Sequence, residues 1–129
     1  MTTEFVYEHL IEALNLSFSE ITSIMKALGN EKRLQILILL LKGPQPYAKI
    51  VFELELKKTA VSNHLTQLME VNLISREGNG VYIITGDGLK FIKAIEQAYQ
   101  QSPSQQLKKF ESLERRGISS SFLNRFPQP

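Results

Sequence analysis

The sequence contains no cysteine. That excludes disulfides, thiolate metal sites and a cysteine nucleophile, and it is compatible with a reducing cytosol. Long apolar runs are also missing: none approaches the roughly 18 residues of a membrane span. The opening MTTEFVYEHL lacks a basic segment followed by an apolar one, so neither export nor anchoring is expected. The expected location is the cytoplasm, with no membrane partner. Histidine is scarce, at His9 and His64 only. Transition-metal sensing needs clustered nitrogen or sulfur ligands, so no metal and no cofactor are expected. There is no paired acid and base, no Ser/His/Asp pattern and no glycine-rich phosphate loop following a strand. No catalytic residues are assigned, and the chain is not expected to be an enzyme.

What is present is ordinary for a globular domain: 43% apolar and 22% charged residues in a chain of 129, enough for one compact domain with a tail. The net charge of +2 is too small to mark nucleic-acid binding by itself. Its distribution is more informative. Residues 1–30 carry four acids against Lys26, a net −3; residues 31–100 carry nine bases against seven acids, and residues 101–129 five against two. Any DNA contact would therefore rest on a few well-placed cations rather than on one broad patch.

The stretch from Glu53 to Ile74 organises the rest. Val61, Leu65, Leu68 and Met69 recur at helical spacing and form one apolar face, while Thr59, Ser62, Asn63, Thr66 and Gln67 fall outside it. Exposed helix surface is usually dressed in Glu and Lys; Ser, Thr and Asn are only middling helix formers. Short hydrogen-bonding side chains that approach base edges closely are what a helix in a DNA major groove needs. The plain alternative is the polar side of an ordinary amphipathic helix.

Upstream, Glu4 to Leu14 shows a helical stripe, and Leu16-Ser17-Phe18-Ser19-Glu20-Ile21 reads as a capping box on Ser17 with Leu16 stapled to Ile21. Gly29 is expected to end that second helix in a left-handed conformation. Asn30 caps a third, Glu31 to Lys42, so apolar all round that it should be buried on most sides. Gly43-Pro44-Gln45-Pro46 stops it. A short helix from Tyr47 to Leu54 and a tight turn lead into the polar-faced helix, a helix-turn-helix arrangement. Leu73 to Arg76 and Val81 to Ile84 are β-rich and flank Asn79-Gly80, a hairpin signal and hence a wing. Thr85 caps a last amphipathic helix, Gly88 to Gln100, and Ser102-Pro103-Ser104-Gln105 opens a tail helix that Gly117 closes.

These residues resemble the ArsR-type winged-helix repressors of bacteria and archaea. Ala27-Leu28-Gly29-Asn30-Glu31-Lys32-Arg33-Leu34-Gln35-Ile36-Leu37 is similar to that family's opening of the core helix, with Arg33 at its recurrent arginine. Ala60-Val61-Ser62-Asn63-His64-Leu65-Thr66-Gln67-Leu68 resembles its recognition helix. Val71-Asn72-Leu73-Ile74, the Gly78-Asn79-Gly80 wing and Ile84-Thr85-Gly86-Asp87-Gly88 follow in the same order. The resemblance covers about residues 20–100. It departs where metal-sensing members carry their ligands: Tyr47-Ala48-Lys49-Ile50-Val51 replaces a cysteine-rich motif, and the last helix has Asp87 and Glu96 but no histidine. Lys57 stands where the family usually starts the recognition helix with Ser.

The expected fold is mainly α with a small β-hairpin, a winged helix-turn-helix dimerising through its N- and C-terminal helices. The expected divisions are 1–29 (dimerisation), 30–86 (DNA binding), 87–101 (dimerisation) and 102–129 (basic tail, helical or disordered). The resemblance implies a homodimeric, sequence-specific regulator of double-stranded DNA, most simply a repressor; a winged-helix protein-interaction module is the alternative. Lys58, Thr59, Ala60, Asn63 and Thr66 would face the major groove, and Lys57 the DNA backbone. Ser62, His64 and Gln67 would hold phosphates, and Arg76, Asn79 and Tyr82 would reach the flanking backbone or minor groove. Phe5, Leu10, Leu14, Leu89, Ile92, Ile95 and Tyr99 would form the dimer interface. A small-molecule effector is compatible with the pattern, but no residue cluster assigns one.

Overall fold

The computed structural model describes residues 6–115. Phe5, Arg116, Gly117 and the Ser- and Phe-containing end of the tail lie outside the described residues. The chain divides into two compact units, Met1–Lys90 and Phe91–Pro129. The first holds α1 (Glu8–Leu16), α2 (Phe18–Leu28), α3 (Glu31–Leu40), β1 (Gln45–Pro46), α4 (Tyr47–Leu54), α5 (Lys58–Glu70), β2 (Ile74–Glu77), β3 (Val81–Ile84) and the first turn of α6 (Gly86–Gln101). The second holds the remainder of α6 and α7 (Pro103–Arg115).

The core of the first unit draws on every element from α2 to β3 except β1. Ala27 of α2, Ile36, Leu37, Leu39 and Leu40 of α3, Ile50 and Leu54 of α4, Val61, Leu65 and Leu68 of α5, and Leu73, Ile74 and Tyr82 of the wing are all buried. α3 packs against α2, α4, α5 and β3, which makes it the central element. It is not buried on most sides, however. Leu34, Ile38 and Leu41, spaced by four and three, remain 39–50% exposed; composition announced an all-round apolar helix, but the neighbours cover only one side.

Local chemistry explains three helix starts. Asn30 is extended and its Oδ1 accepts from the Arg33 amide at 3.1 Å, capping α3. Thr85 Oγ1 accepts from the Gly88 amide at 3.0 Å at the start of α6. In the second unit, Ser102 Oγ accepts from the Gln105 amide at 3.3 Å, with Pro103 in the first helical position. The expected box on Ser17 does not form. The Ser17 side chain makes no capping bond, because the backbone runs through it almost as a helix: its amide bonds to Ala13 and its carbonyl accepts from Ile21. Leu16 is left 86% exposed rather than stapled. Gly29 ends α2 at φ −80°, outside the left-handed region.

The wing has one strand more than expected. Gln45-Pro46 pairs with Tyr82 and Val81, so the sheet order is β1-β3-β2, all antiparallel. Proline is tolerated there because β1 is an edge strand. Glu77 pairs with Val81, leaving a three-residue loop whose Asn79 and Gly80 have φ of 65° and 72°, a conformation open to Asn and Gly and strained for most others.

Candidate nucleic-acid interface

α5 is anchored at three levels. At its start, Tyr47 from α4 donates its hydroxyl to the Lys58 carbonyl and lies 2.8 Å from Ser62 Oγ. Since the single phenolic proton goes to the carbonyl, Ser62 is the donor in that second bond. In its middle, His64 Nδ1 lies 3.2 Å from Arg33 Nη1. At its end, Asn72 adopts φ 59°, the Leu73 amide bonds back to Leu68 and the Asn72 amide to Met69. This is a Schellman cap with Asn in the left-handed position, and Leu68 and Leu73 are fully buried beneath it. Asn72 is held in turn: its carbonyl accepts from Thr85 Oγ1 at 2.6 Å and its side-chain amide donates to Asp87 at 3.0 Å.

Arg33 is the buried hub. It is 9% exposed, and its Nε and Nη2 donate to the Ala27 and Lys26 carbonyls at 2.7 and 3.0 Å. Those carbonyls belong to the last turn of α2, the negative end of that helix. A guanidinium only donates, so the His64 Nδ1 that faces it is unprotonated and the ring proton sits on Nε2. Burial, and secondly the Arg33 charge, hold the His64 pKa below its ordinary value.

With α5 fixed this way, Lys57, Lys58, Thr59, Ser62, Asn63 and Thr66 are exposed along one side, with Ala60, His64 and Gln67 half-buried beside them. A groove of about 640 Å³ separates α5 from the wing and is lined by Pro46, Tyr47, Ala48, Ser62, Arg76, Asn79, Gly80 and Tyr82. It thus brings Ser62 of α5 together with Arg76, Asn79 and Tyr82 of the wing. Tyr82 requires a correction: expected to project from the wing, it is 7% exposed, because β3 is the central strand and β1 and β2 flank it. It is part of the groove wall.

Charge at helix starts sets this face apart. α1, α2, α3 and α6 each carry an acid in the first turn, as the helix dipole favours. α4, α5 and α7 carry none. α5 starts instead with Lys57 and Lys58, and Lys57 makes no side-chain cap bond. Cations at a helix N-terminus oppose the dipole, so the arrangement is unfavourable alone and favourable once an anion arrives. The amide end of α4 faces the groove through Tyr47 and Ala48. The lysines and the polar face are legible in the sequence; the role of Tyr47 is not, and Arg33 is marked there only by resemblance, although it shares a face with Ile36, Leu37 and Leu40, a hint that it is buried.

Three-helix packing, a helix-turn-helix and a β-wing define a winged helix-turn-helix domain. The model of the bacterial regulatory protein arsR family matches residues 30–76. Among solved structures, a fragment of a "possible transcriptional regulatory protein" from Mycobacterium bovis is 30% identical, over 66% of this chain and 95% of that one, with a TM-score of 0.56. The homodimeric winged helix-turn-helix DNA-binding domain of Mb0332 from Mycobacterium bovis is 29% identical over 68% and 86%, TM-score 0.58. HlyU from Vibrio cholerae is 29% identical over 64% and 95%, TM-score 0.53. No curated protein matches. The chain belongs to the ArsR family of bacterial regulatory proteins and is a DNA-binding transcription regulator. Among the described residues, no helix is long and apolar enough to cross a membrane, and no three His, Asp or Glu side chains come together.

Proposed function

We propose that the chain is a cytoplasmic, homodimeric, sequence-specific repressor that places α5 in the major groove and the wing against the flanking backbone, blocking promoter access. The observation that carries this reading is the pair of cations, Lys57 and Lys58, at the start of α5, beside a helix face of Thr59, Asn63 and Thr66. Lys57, Lys58 and Arg76 contact phosphates, as do Gln67 through its amide N–H and Ser62 once its hydroxyl proton turns from Tyr47; Asn79 follows the backbone at the wing. Asn63 reads adenine, and Ala60 and the threonine methyls meet thymine methyls.

Support for the dimer comes from the terminal helices. α1 buries none of its residues, and Leu10 and Leu14 are half-exposed, as are Ile95 and Tyr99 of α6; Leu89 and Ile92 are partly covered. A second copy covering these stripes would set two recognition helices about one DNA turn apart. In the proposed division, residues 1–29 and 87–101 pair the copies and 30–86 reads DNA.

The test is a footprint on the chain's own upstream region, with in vitro transcription from the same template. Two protected half-sites about 10 base pairs apart and reduced transcript support repression by a dimer; protection with increased transcript turns the assignment to activation. Replacing Asn63→Ala should weaken binding to that site by about 1–3 kcal/mol and leave random duplex nearly unaffected. Equal losses on both would remove base reading from Asn63.

A further inference from the structure

The bond between Arg33 and His64 spans 31 residues and joins the DNA-facing helix to the end of α2. Among the described residues the guanidinium has no carboxylate partner, and the ion pair there is Lys49–Glu53, at 3.1 Å. Its charge is met by two carbonyls and one imidazole nitrogen. Each of its three nitrogens has a partner, and no buried polar side-chain atom among the described residues lacks one. The imidazole nitrogen is the only one of the three acceptors that a proton can abolish. Protonating it turns an acceptor into a donor and sets a second cation against a fixed one.

We propose that His64 is a positioning residue that, through Arg33, holds α5 against the C-terminus of α2 in its DNA-reading pose, and that acidification releases it. This rests on the reading of α5 as the helix that enters the major groove. Arg33 of α3 is the one charged group that acts on the ring. The surrounding elements also carry Lys26 on α2, Glu31 and Lys32 on α3, Lys49 and Glu53 on α4, Arg76 and Glu77 on β2, and Lys58 and Glu70 on α5 itself.

Two roles for His64 predict opposite signs. A histidine that grips phosphate binds DNA more tightly when protonated. A histidine that accepts from Arg33 supports binding only when neutral, so affinity falls as the pH is lowered. Asparagine at this position keeps an acceptor close to Nδ1 and does not titrate; leucine removes the acceptor.

The experiment measures anisotropy of a fluorescent duplex from the chain's upstream region at constant ionic strength, from about pH 8 to about pH 5.5, the span in which histidine titrates. It uses the wild type, His64→Asn and His64→Leu, with thermal unfolding of each as a check on folding. The expected result is a wild-type affinity falling about tenfold across the range, a flat profile for His64→Asn near the wild-type value at high pH, and a uniform loss of about tenfold for His64→Leu. Nitrogen-15 spectra of the ring without DNA should show the proton on Nε2 at neutral pH. Wild-type binding that tightens on acidification, or that is matched by both variants at every pH, overturns the positioning role. If His64→Leu fails to fold, the wild type and His64→Asn profiles decide alone. Failure of the wild type to bind any duplex overturns the DNA-facing reading itself, and this inference with it.

Discussion

α5 and α1 carry the same kind of amphipathic stripe and meet different fates. α5 lays Val61, Leu65 and Leu68 into the core, whereas α1 buries nothing, although Leu10, Ile11 and Leu14 lie along it. Helical periodicity states that a face is apolar; it does not state what covers it. α5 is covered by its own chain and locked by polar anchors at both ends and in the middle. The stripe of α1 is satisfied, on the reading proposed here, only by a second copy. Folding and assembly are therefore written in one pattern and separable by mutation.

The largest expected effect sharpens that separation. Leu65→Ala removes a side chain that is 1% exposed and should destabilise the fold by about 2–5 kcal/mol in urea unfolding. Leu14→Ala, at 44% exposed, should change that stability little at dilute concentration and instead weaken self-association in analytical ultracentrifugation. Equal effects on folding would break the comparison. Next comes Gly88→Ala. A Cβ there would meet the Leu73 carbonyl and Ile84 Cγ1, forcing the first turn of α6 away from the connection between α5 and β2 and from the end of β3. Destabilisation of about 1–3 kcal/mol is expected, since backbone cannot yield as a flexible side chain would.

The smallest effect concerns pH. The folded His64 pKa lies below its unfolded value, so the unfolded chain binds the proton more readily. Stability from this group is fully present above about pH 6.5 and is lost as pH falls through the lowered folded value. Urea midpoints of the wild type should decline on acidification through that window more than those of His64→Asn. Parallel curves would show that the ring contributes nothing to holding α5.

What the sequence made legible is mostly local. Asn30, Thr85 and Ser102 cap helices through bonds three residues long, and the stripe of α5 needs only its own residues. The groove is different, because it depends on partners far apart. β1 exists through pairing between Gln45 and Tyr82, and that pairing buries the tyrosine assigned to the wing surface. Arg33 and His64 meet across 31 residues, and Tyr47 reaches Ser62 across 15; no periodicity encodes either. Ser17 shows the converse error, a local motif overridden by a backbone that continues nearly helical through it. Asn72 was legible in principle, as a left-handed cap after an apolar helix, but its ties to Thr85 and Asp87 come from topology.

The most direct test of the central claim is the affinity of the purified protein for a duplex from its own upstream region and for a scrambled duplex, by fluorescence anisotropy at several salt concentrations. Binding to its own duplex at least about a hundredfold tighter, with log K falling linearly in log salt, is the predicted result, and the slope counts the phosphates met by Lys57, Lys58, Arg76 and their neighbours. Weak and equal binding to both duplexes would contradict it. The exposed acids Glu53, Glu55 and Glu70 around α5 would then mark the domain as a protein-interaction module instead.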